Sequence, residues 1–139
     1  MYKMSRLASL VTLTLSACLI TACSDGKDKS VSSADTGHIL VANYSPAVPG
    51  ANLSIDLKEN TCSDKKITTV GSVKWSVTIP TVTHIKIIVG DNNLLTYAGP
   101  TGSVSTDKWV QDGTKFTLID ADKKSTLGTL VVSDSTCKK

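Results

Sequence analysis

The chain is poor in the residues that most often carry catalysis. Of its 139 residues only two are His, and the aromatics amount to two Trp, three Tyr and one Phe. His38 and His84 are the only imidazoles, and no GxSxG, HExxH or CxxC spacing occurs. The familiar nucleophile–base and zinc-ligand patterns are therefore missing. Arg6 is the single arginine and the lysines are scattered, so there is no basic stripe of the kind that reads nucleic acid. The same scatter gives no polybasic patch for an anionic membrane surface. So few aromatics exclude a broad aromatic groove. The sequence calls for no cofactor or metal.

What is present begins at the N-terminus. Lys3 and Arg6 form a basic start, and Leu7 to Ala22 is an uncharged stretch of 16 residues diluted by Ser9, Thr12, Thr14 and Ser16. Crossing a bilayer takes roughly 20 apolar residues, so a spanning helix fits poorly. A basic start, an apolar middle and small residues before a cleavage point describe an export signal. The run Leu19-Ile20-Thr21-Ala22-Cys23 resembles the lipobox of bacterial lipoproteins. The resemblance implies that Cys23 carries the lipid on the mature chain, and that residues 1–22 are removed. A second match, Leu15-Ser16-Ala17-Cys18, is worse placed, because Leu19-Ile20 would then open the mature chain. Residue 24 is Ser rather than Asp, which in that family implies sorting to the outer membrane. The membrane is then the first partner, reached through several acyl chains.

Removal of residues 1–22 leaves 117 residues, enough for one core. It leaves 13 Lys against 12 Asp plus Glu, so the mature charge is near +1 rather than +3. With Cys18 gone and Cys23 lipidated, Cys62 and Cys137 remain as a pair in an oxidising compartment. They are expected to form a disulfide, which for a loop of this length contributes about 4 kcal/mol on chain-entropy estimates. A metal site or a reactive thiol has no His nearby in sequence to support it.

Ser24 to Gly37 is polar and rich in Ser, Gly and charge. Such a segment buries too little to order itself. Residues 23–37 are expected to be a flexible tether with a span of roughly 20 Å. From His38 to Lys139 the pattern is strand after strand. Val73, Trp75, Val77 and Ile79 alternate with Ser72, Lys74, Ser76 and Thr78, the period of a half-buried strand. Further strands are expected over His38–Tyr44, Asn52–Leu57, Ile85–Val89, Leu94–Tyr97, Ser103–Val110, Lys115–Ala121 and Leu127–Val132. Pro80, the Gly90–Asn93 cluster and the Asp112-Gly113 pair separate them. No stretch beyond the signal keeps a helical period over ten residues. Seven or eight short antiparallel strands over about 100 residues predict an all-β sandwich.

Several motifs sit on these strands. Cys62 precedes Trp75 by about a dozen positions, and Ile85 to Gly90 is an alternating strand ending in Val-Gly. Pro100, Gly102-Ser103, Thr106, Lys108-Trp109-Val110 and Asp112-Gly113 form one run, and Phe116, Leu118 and Asp120 another. Together they resemble a small immunoglobulin-like module found in many bacterial proteins, over about 75 residues. The resemblance implies an immunoglobulin-like β-sandwich and no catalytic residues. Ser63-Asp64-Lys65-Lys66 replaces the Gly-rich piece that usually follows the Cys, and Ala42 to Pro46 matches the usual Asn-Pro start only loosely.

Trp75 and Phe116 read as core. Asp120-Ala121-Asp122 reads as a solvated turn rather than a calcium pair, because the flanking oxygen donors are missing. Trp109, between Lys108 and Val110, has two readings. It caps the open end of the core, or it offers a flat platform to a sugar ring or to a partner's anchor residue. Tyr97, and more remotely Tyr44, would extend such a surface. The expectation is a non-enzymatic envelope lipoprotein that recognises an envelope protein or a glycan through Tyr97, Lys108 and Trp109. The alternative is a structural accessory subunit docking by edge-strand pairing.

Overall fold

The computed structural model describes residues 36–139. The signal segment, Cys18, Cys23 and the tether up to residue 35 lie outside the described residues. Ten strands and no helix occur among the described residues. They are β1 (Thr36–Pro46), β2 (Ala51–Leu57), β3 (Thr68–Thr69), β4 (Gly71–Val77), β5 (Ile85–Val89), β6 (Asn93–Ala98), β7 (Thr101–Ser105), β8 (Val110–Gln111), β9 (Lys115–Asp120) and β10 (Thr126–Lys138).

The strands build an all-β sandwich. One sheet has the order β1-β10-β9-β5-β6, the second β2-β4-β7, and β3 and β8 form a small third pair. Every pairing is antiparallel. The alternation read in β4 is the observed burial pattern: Val73, Trp75 and Val77 are buried, and Lys74 and Ser76 are exposed. Across the interior they meet Ile85, Ile87, Phe116, Leu118, Leu130 and Val132, all closed to solvent or nearly so. Burying an aliphatic or Phe side chain contributes about 1.5–3 kcal/mol, so this shared interior is the main source of stability.

Each lateral side of the sandwich is closed by one aromatic residue lying over a glycine. On the β1 side, Tyr44 lies against Gly128 of β10 and its hydroxyl donates to the Ala51 carbonyl of β2, 2.9 Å away. On the β7 side, Trp75 lies against Gly102 and its Nε1–H donates to the Gly99 carbonyl at 3.0 Å. A Cβ at Gly102 would sit 2.5 Å from Trp75 Cζ2, and one at Gly128 would sit 2.6 Å from Tyr44 Cε2. Both glycines are in strands, and each is there because an aromatic ring occupies the space of a side chain.

Cys62 and Cys137 form the disulfide expected from sequence, 75 positions apart. It ties the loop after β2 to the end of β10. The same corner is held by the backbone exchange between His38 and Ser63, and by His38 Nδ1, which lies 2.7 Å from Asp134 Oδ2. Asn60 reaches the outer edge of β1, accepting from the Leu40 N–H and donating to the Leu40 carbonyl.

Four features depart from the sequence reading. β1 begins at Thr36, so the last two residues assigned to the tether are strand; Gly37 pairs with Cys137 beside the disulfide. Cys137 lies within the last strand rather than after it, because β10 continues to Lys138 along the full length of β1. Ser103–Val110 is two strands, broken where Thr106 turns inward. Its N–H donates to the Gly71 carbonyl and its hydroxyl accepts from the Gly71 N–H, both at 2.8 Å. Asp120 is not in a solvated turn. It is 1% exposed, and its Oδ1 accepts from the backbone N–H groups of Asp122 and Lys123, which closes the β9–β10 turn.

Candidate functional site

Trp109 is placed by the segment on either side of it. Thr106 is locked to Gly71, and Val110 is buried and paired with Thr69. The Thr69 hydroxyl in turn donates to the Lys58 carbonyl. Between these anchors the Trp109 N–H donates to the Asp107 carbonyl in a tight turn, 2.8 Å, which swings the indole to the end of the sandwich. There the ring meets Phe116, centroids 6.0 Å apart and planes tilted by 34°. Such a tilted pair is a favourable aromatic contact, and it fixes the indole without covering it. Trp109 is half-buried.

Trp109 also lines an open notch of about 200 Å³ with Val89, Asn93, Leu94 and Leu95. The notch exists because β6 carries one extra residue: Ile87 pairs with Thr96 and Ile88 with Leu94, so Leu95 bulges. Leu94 is 58% exposed, the most exposed large apolar side chain among the described residues. Trp109 Nε1 and the Asn93 carboxamide have no hydrogen-bond partner among the described residues, whereas Trp75 Nε1 is paired with Gly99. The two indoles therefore differ: Trp75 is core, and Trp109 is a half-buried wall of the core end whose Nε1–H has no acceptor among the described residues. The contact with Phe116 accords with the capping reading of Trp109.

Tyr97 stands elsewhere. It projects from the outer face of the five-stranded sheet, stacked on His84 at 5.4 Å with planes 17° apart, and Lys86 Nζ lies 5.9 Å from its ring centre. Tyr97 shares neither a ring contact nor the notch with Trp109. Lys108 is exposed, next to Trp109 in sequence, and does not line the notch. Tyr44 is a closure of the sandwich side rather than part of a binding surface. Burial raises its phenol above the ordinary range.

One further place holds polar groups. A hollow of about 100 Å³ lies among Leu40, Lys66, Ile67, Gln111, Asp112 and Asp134. Its carboxylates have structural tasks: Asp112 accepts from the Asp134 N–H, and Asp134 faces His38. No cluster of three His, Cys, Asp or Glu side chains suited to a metal occurs among the described residues. Sequence reasoning named Trp109 but missed Asn93 and Leu94. The signal available was an exposed apolar residue directly after the Gly90–Asn93 turn, on a strand too irregular to hide it.

No family model, no curated protein and no solved structure matches the chain. The likeness to a bacterial immunoglobulin-like module therefore has no matched relative behind it.

Proposed function

We propose that the chain is a non-enzymatic recognition module of the bacterial cell envelope, lipid-anchored through Cys23 and held off the outer membrane by residues 24–35. The reading of the N-terminus rests on Lys3, Arg6 and the Leu19–Cys23 run. The immunoglobulin-like reading is supported by strand order. The β2-β4-β7 sheet and the β10-β9-β5-β6 run alternate between layers as a seven-strand sandwich of that type does, with β1 added beside β10. The observation that carries recognition is the Trp109 notch: an apolar recess at one end of a stapled β-framework, with an indole packed on Phe116 and, at its rim, two polar groups without a partner among the described residues. Binding groups on loops and strand ends of a rigid scaffold are the usual arrangement for recognition.

A second reading, an accessory subunit docking by strand addition, is favoured by one specific edge. Val104 and Gly102 pair inward with β4, which leaves the N–H and C=O groups of Thr101, Ser103 and Ser105 facing outward. The other edges carry blocking devices: Asn60 on β1, Asp56 within β2, and the bulge on β6. β7 has neither a charge nor a proline.

One experiment separates the readings. A photo-crosslinking residue is placed at Leu94 or at Ser103 in the full chain, in cells that make it, and adducts are scored in the membrane fraction. An adduct from position 94 and none from 103 supports recognition through the notch. A single stoichiometric protein adduct from 103, with none from 94, replaces it by the accessory reading. In the same cells Cys23→Ser is expected to release the chain from the membrane fraction; continued membrane retention would refute the lipid anchor.

A further inference from the structure

We infer that the Trp109 notch is a saccharide subsite that takes one pyranose ring. The inference rests on the recognition reading above and names the ligand class for that site.

A pyranose has an apolar face of ring C–H groups and a perimeter of hydroxyls that both donate and accept. A site for it needs a flat apolar surface, a recess one ring wide, and a few donors and acceptors at the edge. The notch supplies each. The indole of Trp109 is flat and is braced from behind by Phe116, so little side-chain entropy is lost on stacking. Val89, Leu94 and Leu95 complete an apolar recess of about 200 Å³. Among the described residues Trp109 Nε1–H has no acceptor and the Asn93 carboxamide no partner, which leaves a donor and a donor–acceptor group at the edge. All lining residues are uncharged, which suits a neutral ligand.

The same facts argue against a protein anchor at this place. Stable protein interfaces bury about 800 Å² on each partner around an apolar centre. Beyond the notch the neighbouring chain is Asp91, Asn92, Asp107 and Lys108, all exposed. The remaining exposed large apolar residues, Val41, Tyr97 and Val131, do not line the notch. The apolar surface is too small for a protein partner and matches a single ring with a polar perimeter.

The test uses the two tryptophans as reporter and control. The full chain in detergent micelles, labelled with ¹⁵N-tryptophan, gives two indole N–H signals, one for Trp109 and one for the buried Trp75. It is titrated with the methyl glycosides of glucose, galactose and N-acetylglucosamine through about 10 mM, the range expected for one ring on an open site. The Trp109 signal is expected to shift and saturate with at least one glycoside while the Trp75 signal stays fixed. Asn93→Ala, an exposed change that leaves the core intact, is expected to weaken binding about fivefold, the effect of one lost hydrogen bond. No saturable shift with any glycoside, or equal shifts of both indoles, overturns the inference. If the glycosides fail while the residue at position 94 still captures a protein in cells, the recognition reading stands and the saccharide assignment falls.

Discussion

Tyr44 and Trp75 do the same job on opposite sides of the sandwich. Each lies over a glycine on a neighbouring strand, and each sends one hydrogen bond to a backbone carbonyl, Ala51 for Tyr44 and Gly99 for Trp75. The surroundings differ. The Tyr44 side is reinforced three more times: by Asn60 on the edge of β1, by the His38–Ser63 exchange, and by the Cys62–Cys137 bridge. On the Trp75 side the ties beyond the strand ladder are the paired bonds between Thr106 and Gly71 at one end of β7 and the Val77 N–H to the Pro100 carbonyl at the other. There β6 and β7 are joined only through Gly99 and Pro100, and their residues are mostly exposed or half-buried. The first side carries a covalent tie, and the second relies on one buried ring and a few hydrogen bonds. The notch and the open β7 edge both belong to the second side, where strands are short and less constraint is placed on the surface.

That contrast is broken most directly by truncating the two rings. Trp75 is 6% exposed and fills the space between the sheets, so Trp75→Ala is expected to cost about 3–5 kcal/mol in denaturant unfolding. Tyr44 is half-buried and backed by the other ties, so Tyr44→Ala is expected to cost distinctly less. Equal losses would mean that the redundancy on the β1 side contributes nothing.

Reducing the disulfide tests the redundancy itself. Removing a bridge of this loop length costs about 2–5 kcal/mol. The damage is expected to be local first. Amide exchange should rise in residues 36–41 and 133–138, whose strand pairing lies next to the bridge, while β4, β5 and β9 keep their protection. Uniform loss of protection would place the bridge in the global stability rather than in that corner.

The two sides also differ in how readable they are from sequence. The alternation in β4 and β5 identifies the core faces and puts Trp75 inside, because a period of two needs no knowledge of partners. Much of the two sheets follows from it, since most of the strands are short and separated by turn residues. What alternation does not reveal is any contact between distant residues that replaces a side chain with a backbone group. Gly128 is an ordinary strand residue until Tyr44 is placed over it. Thr106 reads as part of a strand until its hydroxyl is found on Gly71, and that bond is what divides β7 from β8 and turns Trp109 outward. The notch suffers the same blindness. Trp109 draws attention by its type, but Asn93 and Leu94 become partners only through the extra residue in β6.

The finest test of the comparison uses the proton on Tyr44, because Trp75 has none to lose in this range. Burial raises the phenol above its ordinary value near 10. The fold therefore favours the neutral form. Its contribution is complete below the unfolded value and is lost as pH rises through the higher folded value. Once pH passes the raised folded value the tyrosinate can no longer donate to the Ala51 carbonyl, so the β1 side should weaken while the Trp75 side does not. Tyr44→Phe is expected to cost about 1 kcal/mol at neutral pH, the value of one hydrogen bond, and to fall less steeply than the parent chain across the alkaline range. The readout is unfolding free energy from denaturant titrations at several pH values from neutral to alkaline. Parallel slopes for the two proteins would place the alkaline loss elsewhere, and would reduce Tyr44 to a packed ring whose hydroxyl does not join the sheets.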